Sequence, residues 1–342
     1  MYNLNSFEHL NIPTKLKCIL IDNANYSLAV RTWNTYKSSL KMLSNCADEL
    51  MFSYDFPLTE ETILTFIAWC LRKGNTANTI KTYLSGLRQA HIALGLKGQN
   101  LHTDLVHQVL TGSTNIAISS KLKQIRVPCT LNVLKLLKAE IKASSLSNSM
   151  QILVWSVCCI AFFGAFRMAE LLCKKTSCYN PCFTLLKRDV KLLNITGTNR
   201  ECLQFRIKNS KTNKSGKPEI VDVYATNSSV CPIKAYKKLH AITKNSPPDA
   251  PMFCGKDGTP LVLSKLNKLL NKLVGRQIKG GKLTGHSFRA GLISMFAKLG
   301  HNSQELKQIG RWSSRAYEKY IKLGRTNRQQ MAVTCSKIDA KM

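Results

Sequence analysis

Four separated segments of this chain hold residues that fit poorly as core or as ordinary surface, and each offers chemistry toward an anion. In Gly164-Ala165-Phe166-Arg167-Met168-Ala169-Glu170, Arg167 opens a helix directly after an almost wholly apolar run, where a charge is costly unless it pairs or meets an anion. Glu170 follows one helical turn later, placed to hold or orient a neighbour. Lys211, within Ile207-Lys208-Asn209-Ser210-Lys211-Thr212, falls at an expected β-turn, from which a lysine projects into a groove without burying its stem. Thr284-Gly285-His286-Ser287-Phe288-Arg289 sets a histidine and an arginine three residues apart on the first turn of a helix, and a helix N-terminus carrying both suits an anion. The last segment is Gly310-Arg311-Trp312-Ser313-Ser314, with Tyr317 and Tyr320 beyond it. Taken singly, each has a plain alternative: a structural Arg167–Glu170 pair, a surface lysine, a core histidine, aromatic packing.

The charge of the chain points the same way. Fifty basic against 19 acidic residues give a formal net charge of +31 and a pI near 9.8. Residues 1–110 hold ten basic and eight acidic residues, and residues 111–342 the other forty and eleven. The positive field therefore belongs to the second part, as expected of binding to a phosphate backbone there. A solubilising surface and an anionic membrane surface are the alternatives, but no basic amphipathic segment with an aromatic face supports the membrane. The longest apolar stretch, Ile152 to Phe166, contains Ser156 and Gly164 and falls short of the roughly 18 residues a membrane span needs. MYNLNSFEHL does not read as a signal peptide, so an intracellular setting with the thirteen cysteines as reduced thiols is expected. Cys173, Cys178 and Cys182 are closely spaced, but no second pair follows, and no metal is expected.

The elements that must position these segments are mostly helical. Length allows two domains. In residues 26–47, Leu28, Trp33, Tyr36, Leu40 and Leu43 recur near a 3.6-residue period and predict one buried stripe. Thr59 and Thr76 are expected N-caps, the first ahead of Ile63, Leu64, Phe66, Ile67 and Trp69, the second ahead of Ile80, Tyr83, Leu84, Leu87 and His91. A helical bundle over residues 1–111 is the simplest outcome. Residues 112–130, polar, basic and broken by Pro128, read as a linker. Helices are expected at about 131–143 and 149–163, then three alternating segments between Phe183 and Tyr224 as a small antiparallel sheet. Helices return from Pro232, with leucines at 263, 266, 269, 270 and 273. The fold class is mainly α with a small antiparallel β-sheet (α+β).

The order Arg, Lys, HxxR, GxW, Tyr in one basic domain behind a helical one resembles the tyrosine recombinase (phage integrase) superfamily. The strings GHSFRAG and GRWSSRAYEKYI look most like recombinases of Crypton and DIRS-like mobile elements. The resemblance spans roughly residues 20–330 and is specific in the C-terminal half. It implies a core-binding domain (1–111), a linker (112–130), a catalytic domain (131–333) and a tail (334–342) that packs onto a neighbouring protomer. By the same resemblance Arg167 and Arg289 clamp the scissile phosphate, and His286 hydrogen-bonds it and assists proton movement. Lys211 protonates the departing 5′-oxygen, and Trp312 donates its indole N–H. Tyr320 is the nucleophile that forms a 3′-phosphotyrosine. The interval from Trp312 to Tyr320 is eight residues, one short of the commonest pattern, and Tyr317 lies at five, so Tyr317 is the alternative nucleophile. Glu170 takes the acidic position after the first arginine, in a supporting role.

What this implies is site-specific breakage and rejoining of double-stranded DNA by a homotetramer on paired sites. Neither ATP, metal, cofactor nor small-molecule substrate is expected, and a nuclear location follows from the mobile-element likeness. The competing expectations are type IB topoisomerase-like relaxation and a catalytically inactive, transposon-derived DNA-binding protein.

Overall fold

Threonine, serine and asparagine side chains start the helices by satisfying backbone N–H groups that have no intrahelical partner. Thr59 Oγ1 accepts from Thr62 N–H at 3.2 Å and Thr76 Oγ1 from Thr79 N–H at 3.3 Å, as the sequence predicts; Thr130, Ser147 and Asn302 do the same further on. The computed structural model describes residues 2–119, 125–173, 176, 179–197, 200–208, 217–226, 228–275, 277–278, 281–312, 314–315 and 318. The chain divides into two compact units, residues 1–123 and 124–342.

The first unit carries α1 (Thr14–Tyr26), α2 (Val30–Leu50), α3 (Glu60–Arg72), α4 (Ala77–Ala93) and α5 (Asp104–Ser119). Its core is built from Leu43, Ile63, Phe66, Ile67, Ile80 and Leu87, each fully buried. Trp33 and Leu43 of the expected α2 stripe are buried, but Leu40 is 37% exposed. His91 is a core histidine: its Nε2 accepts from Leu58 N–H at 3.0 Å while Nδ1 lies 2.8 Å from the Leu87 carbonyl oxygen. Gly74, at φ 78°, ends α3 in a conformation that costs glycine nothing. Helix α5 runs through Ser119, so residues 112–119, expected as linker, are helical.

The second unit holds β1 (Ile125–Arg126), α6 (Leu131–Ala143), α7 (Asn148–Phe163), α8 (Met168–Leu171), β2 (Val190–Asn194), β3 (Glu201–Ile207), β4 (Glu219–Tyr224), α9 (Pro232–Ile242), α10 (Leu263–Val274), β5 (Gly281–Lys282), α11 (Ser287–Lys298) and α12 (Ser303–Ile309). Helix α7 is apolar nearly all round, with Val154, Val157, Cys158, Ile160 and Phe162 fully buried, the pattern of a helix enclosed on every side. Its one buried hydroxyl, Ser156, is satisfied by donating to the Ala235 carbonyl of α9 at 2.8 Å. Strands β2, β3 and β4 form the antiparallel sheet in that order, with Val190 opposite Phe205 and Ile207 opposite Glu219. At the base of the β3–β4 hairpin, Asp189 is buried, accepts from Leu186 N–H at 2.9 Å and pairs with Lys208 Nζ at 2.6 Å. The two-residue parallel pair β1–β5 has no periodicity and is not foreseen by sequence.

The cysteines among the described residues are free, and those in the cores behave as small apolar groups. Burial pushes the Cys46 thiol up to about 11 and Cys129 up to about 12. Among the described residues no group of histidine, cysteine and carboxylate side chains could hold a metal ion, and no helix is long and apolar enough to cross a membrane.

Helix α11 is locked to the chain before α6. Cys129 N–H donates to the Ser287 carbonyl at 2.8 Å, and a Cβ at Gly291 would stand 1.7 Å from the Cys129 carbonyl oxygen. Because the obstacle is backbone, Gly291→Ala is expected to cost about 2–3 kcal/mol through overpacking. For a unit of this size that lowers the thermal midpoint by about 5–10 °C, measurable by circular dichroism; an unchanged midpoint contradicts this packing.

Candidate functional site

Arg167 sits where α7 turns into α8. The turn passes through Ala165 at φ 45°, a left-handed conformation unusual for a residue with a Cβ, and the Phe166 ring folds back against Gly164, where a Cβ would lie 2.1 Å from it. Arg167 thereby becomes the N-cap of α8. Its backbone N–H donates to Glu170 Oε2 at 2.9 Å and its Nη1 to Glu170 Oε1 at 2.7 Å. The expected pairing of Arg167 with Glu170 is therefore present, and Glu170 is 6% exposed.

A second arginine shares that carboxylate. Arg311, just past the end of α12, donates from Nη2 to Glu170 Oε2 at 2.7 Å and from Nη1 to Glu219 Oε2, at the start of β4, at 3.2 Å. Its guanidinium also lies over the Phe166 ring at 5.1 Å, a favourable cation–π position. Burial alone pushes the Glu170 carboxyl up, but Arg311 beside it and the hydrogen bonds from Arg167 and Arg311 outweigh that and hold it below the usual carboxylate range. Removing one member of such a buried set typically costs about 3–5 kcal/mol.

Trp312 follows Arg311 directly. A Cβ at Gly310 would lie 2.1 Å from the Trp312 ring, so only glycine lets the indole fold back at this point. The Arg289 guanidinium lies 4.7 Å from the centroid of that indole, and Arg289 is only 3% exposed. His286, N-cap of α11 and one turn before Arg289, is exposed. Gly285 lets the His286–Arg289 segment approach α8 closely, since a Cβ there would stand 2.6 Å from the Met168 Cβ, one residue after Arg167.

The structure thus joins Arg167 and Glu170, through Arg311, to Trp312 and Arg289, with the His286 segment packed beside α8. Lys211, Tyr317, Tyr320 and the tail 334–342 lie outside the described residues. Sequence reading passed over Arg311 and Glu219. Arg311 stood within the quoted GRW string, but nothing in the sequence separates it from its many basic neighbours, and Glu219 carries no local signal. Chemically the arrangement offers the guanidiniums of Arg167, Arg311 and Arg289, the last of them buried, and an indole donor group beside the segment of an exposed imidazole, a set suited to a tetrahedral oxyanion.

No family model matches the sequence, and no curated protein matches it. Solved structures do resemble it. XerH site-specific recombinase bound to palindromic difH substrate, a post-cleavage complex, superposes with a TM-score of 0.59 at 15% identity, covering 87% of this chain and 78% of that one. The Tn1549 transposon integrase in complex with transposon right end DNA gives 0.58 at 14% identity, covering 90% and 94%. A lambda integrase dimer bound to a COC′ core site gives 0.55 at 15% identity, covering 91% and 76%. At these identities the likeness is one of fold, and the fold is that of the tyrosine recombinases.

Because the Glu170 carboxyl is lowered in the folded protein, its ion pairs stabilise the fold fully above its ordinary value of 4.5 and lose that contribution as pH falls through the lowered value. Glu170→Gln is therefore expected to melt below the parent at neutral pH, with the gap constant down to about pH 5 and closing below it. Thermal midpoints of both proteins from pH 7 to pH 3 measure this; a gap that widens in acid contradicts the assignment.

Proposed function

We propose that this protein is a site-specific DNA recombinase that breaks and rejoins duplex DNA through a 3′-phosphotyrosine, in the service of a mobile element. The observation that carries the reading is the coincidence of the recombinase fold with Arg167, Trp312 and Arg289 gathered around one network. The fold alone fits many sequences; the fold with these side chains in these places fits far fewer. The net charge of +31 supplies the sequence-independent attraction to a phosphate backbone.

In this reading the guanidiniums of Arg167 and Arg289 hold the non-bridging oxygens of the scissile phosphate and offset the charge that grows in the pentacoordinate transition state. Trp312 donates its N–H to the same phosphate and cannot move protons. A tyrosine hydroxyl of ordinary pKa about 10 is only about 0.1% ionised at pH 7. The cationic surroundings and His286 therefore help Tyr320 lose its proton as its oxygen attacks phosphorus. The bond from phosphorus to the 5′-oxygen breaks, and Lys211 gives that oxygen its proton. The phosphodiester energy is kept in the tyrosyl ester, so rejoining requires neither ATP nor metal. Recombination joins two duplexes, which calls for four protomers. The nucleus is the compartment this reading places it in.

The test is covalent trapping. The protein is incubated with a pool of nicked suicide duplexes of randomised sequence, and tyrosine peptides carrying a 3′-phosphate adduct are sought by mass spectrometry. An adduct on Tyr320, absent in Tyr320→Phe, is expected, with Arg289→Ala lowering its yield by about 100-fold or more. An adduct on Tyr317 moves the nucleophile. No adduct, despite salt-sensitive DNA binding, overturns the catalytic reading in favour of a DNA-binding protein.

A further inference from the structure

We propose that Arg311 is the positioning residue of this site: by offsetting the charge of Glu170 and Glu219 it keeps the surroundings of Arg167 net positive toward an incoming phosphate, and it seats Trp312 beneath Arg289. This rests on reading the site as a phosphate centre.

Three observations set Arg311 apart from an ordinary ion-pairing arginine. Its backbone is in the left-handed region, φ 51°, where glycine is at home and a residue with a Cβ persists only if its surroundings over-determine it. Its side chain is 10% exposed, and it spans two carboxylates that come from different elements, Glu170 on α8 and Glu219 on β4. It also reaches the Ala165 carbonyl oxygen at 3.4 Å, so the two left-handed residues at this place meet each other.

The charge count explains what this contact achieves. Glu170 gives Oε1 to Arg167 and Oε2 to Arg311; Glu219 has Arg311 as its ion-pair partner among the described residues. With Arg311 present, these four groups sum to zero and Arg289 adds a positive charge. Without it, the two carboxylates face the guanidiniums of Arg167 and Arg289, and the sum falls from +1 to zero. Arg167 stays paired with Glu170 in either case, but the net positive charge that attracts an anion is lost. Since Arg311 and Trp312 are consecutive, the bond that fixes Arg311 also fixes the indole on which Arg289 lies. Glu219 stands opposite Ile207 at the end of the β3–β4 ladder that leads into the connecting segment, so the same residue ties these strands to the end of α12.

The experiment uses inorganic phosphate and the full chain. Binding is followed by the fluorescence change of Trp312, isolated by difference from Trp312→Phe, at constant ionic strength. Arg311→Met is expected to weaken phosphate binding by about tenfold or more, and Arg311→Met combined with Glu219→Gln to recover binding to within about threefold of the parent. Recovery separates a charge role from a merely structural one, since a damaged fold is not repaired by losing a carboxylate. Glu219→Gln alone, which leaves the Arg167–Glu170 pair in place, is expected to tighten binding about threefold, and this arm holds even if Arg311→Met does not fold. Parent-like binding in Arg311→Met, no recovery in the double variant, or no effect of Glu219→Gln overturns the inference and leaves the site reading intact. No phosphate-dependent Trp312 signal in the parent overturns the site reading, and the inference with it.

Discussion

A carboxylate that is almost wholly out of water survives only if something cancels its charge, and the organisation of the second unit follows from how Glu170 solves this. One oxygen goes to Arg167, three residues back; the other goes to Arg311, 141 residues further along. The first bond is local and shapes the α7–α8 corner. The second bond is long-range and requires the end of α12 to return to that corner, bringing Trp312 with it. Buried ion pairs of this kind are poor evidence for stability, because replacing all members by apolar groups is often neutral or better. Their use here is geometric, since a buried charge tolerates few arrangements.

The features around the network bear the cost of that geometry. Ala165 and Arg311 both take left-handed backbone, at about 1–3 kcal/mol each. Gly164, Gly285 and Gly310 each admit a neighbour to a distance that a Cβ would forbid. A region that only had to be stable would not collect so many exceptions to local preference in so few residues, and sites of function are where such exceptions are found.

Much of the fold was legible because its signals are local. Thr59 and Thr76 cap the helices they were expected to cap, α6 and α7 start and stop within a residue of the expected positions, and the alternation in 201–207 and 219–224 reads as strand in both sequence and structure. Residues 112–119 deceived because glycine, serine, threonine and asparagine have weak helix propensity. A helix already nucleated by the preceding turns extends at little cost, and Ile116 at 72% exposed shows that packing does not hold this end. Leu40 fits the period of its helix yet lies at the rim of the buried stripe. The pair β1–β5 is two residues long and carries no period at all. Arg167, Glu170, Arg289 and Trp312 stand out in the sequence as oddities of type and spacing, and the structure places them in one network. Arg311 does not stand out, because what distinguishes it is its reach to Glu170 and Glu219 across the fold, which no window of sequence contains.

The distribution of charge gives these facts a common sense. Residues 111–342 carry a large positive excess, yet the network of Arg167, Glu170, Arg311 and Glu219 is neutral. If attraction to a polyanion were the purpose of the buried arginines, the carboxylates beside them would be a defect. They make sense if attraction is left to the exposed lysines and arginines, which act at long range and are screened by salt, while the buried arginines are held for direction. A guanidinium fixed by a carboxylate on one edge keeps its other edge at a set angle and loses little freedom when an anion arrives. In the reading proposed above, neutrality at the centre and positive charge around it are two parts of one arrangement: the outer charge sets how often a phosphate backbone arrives, and the inner network sets which phosphate geometry is favoured once it is there.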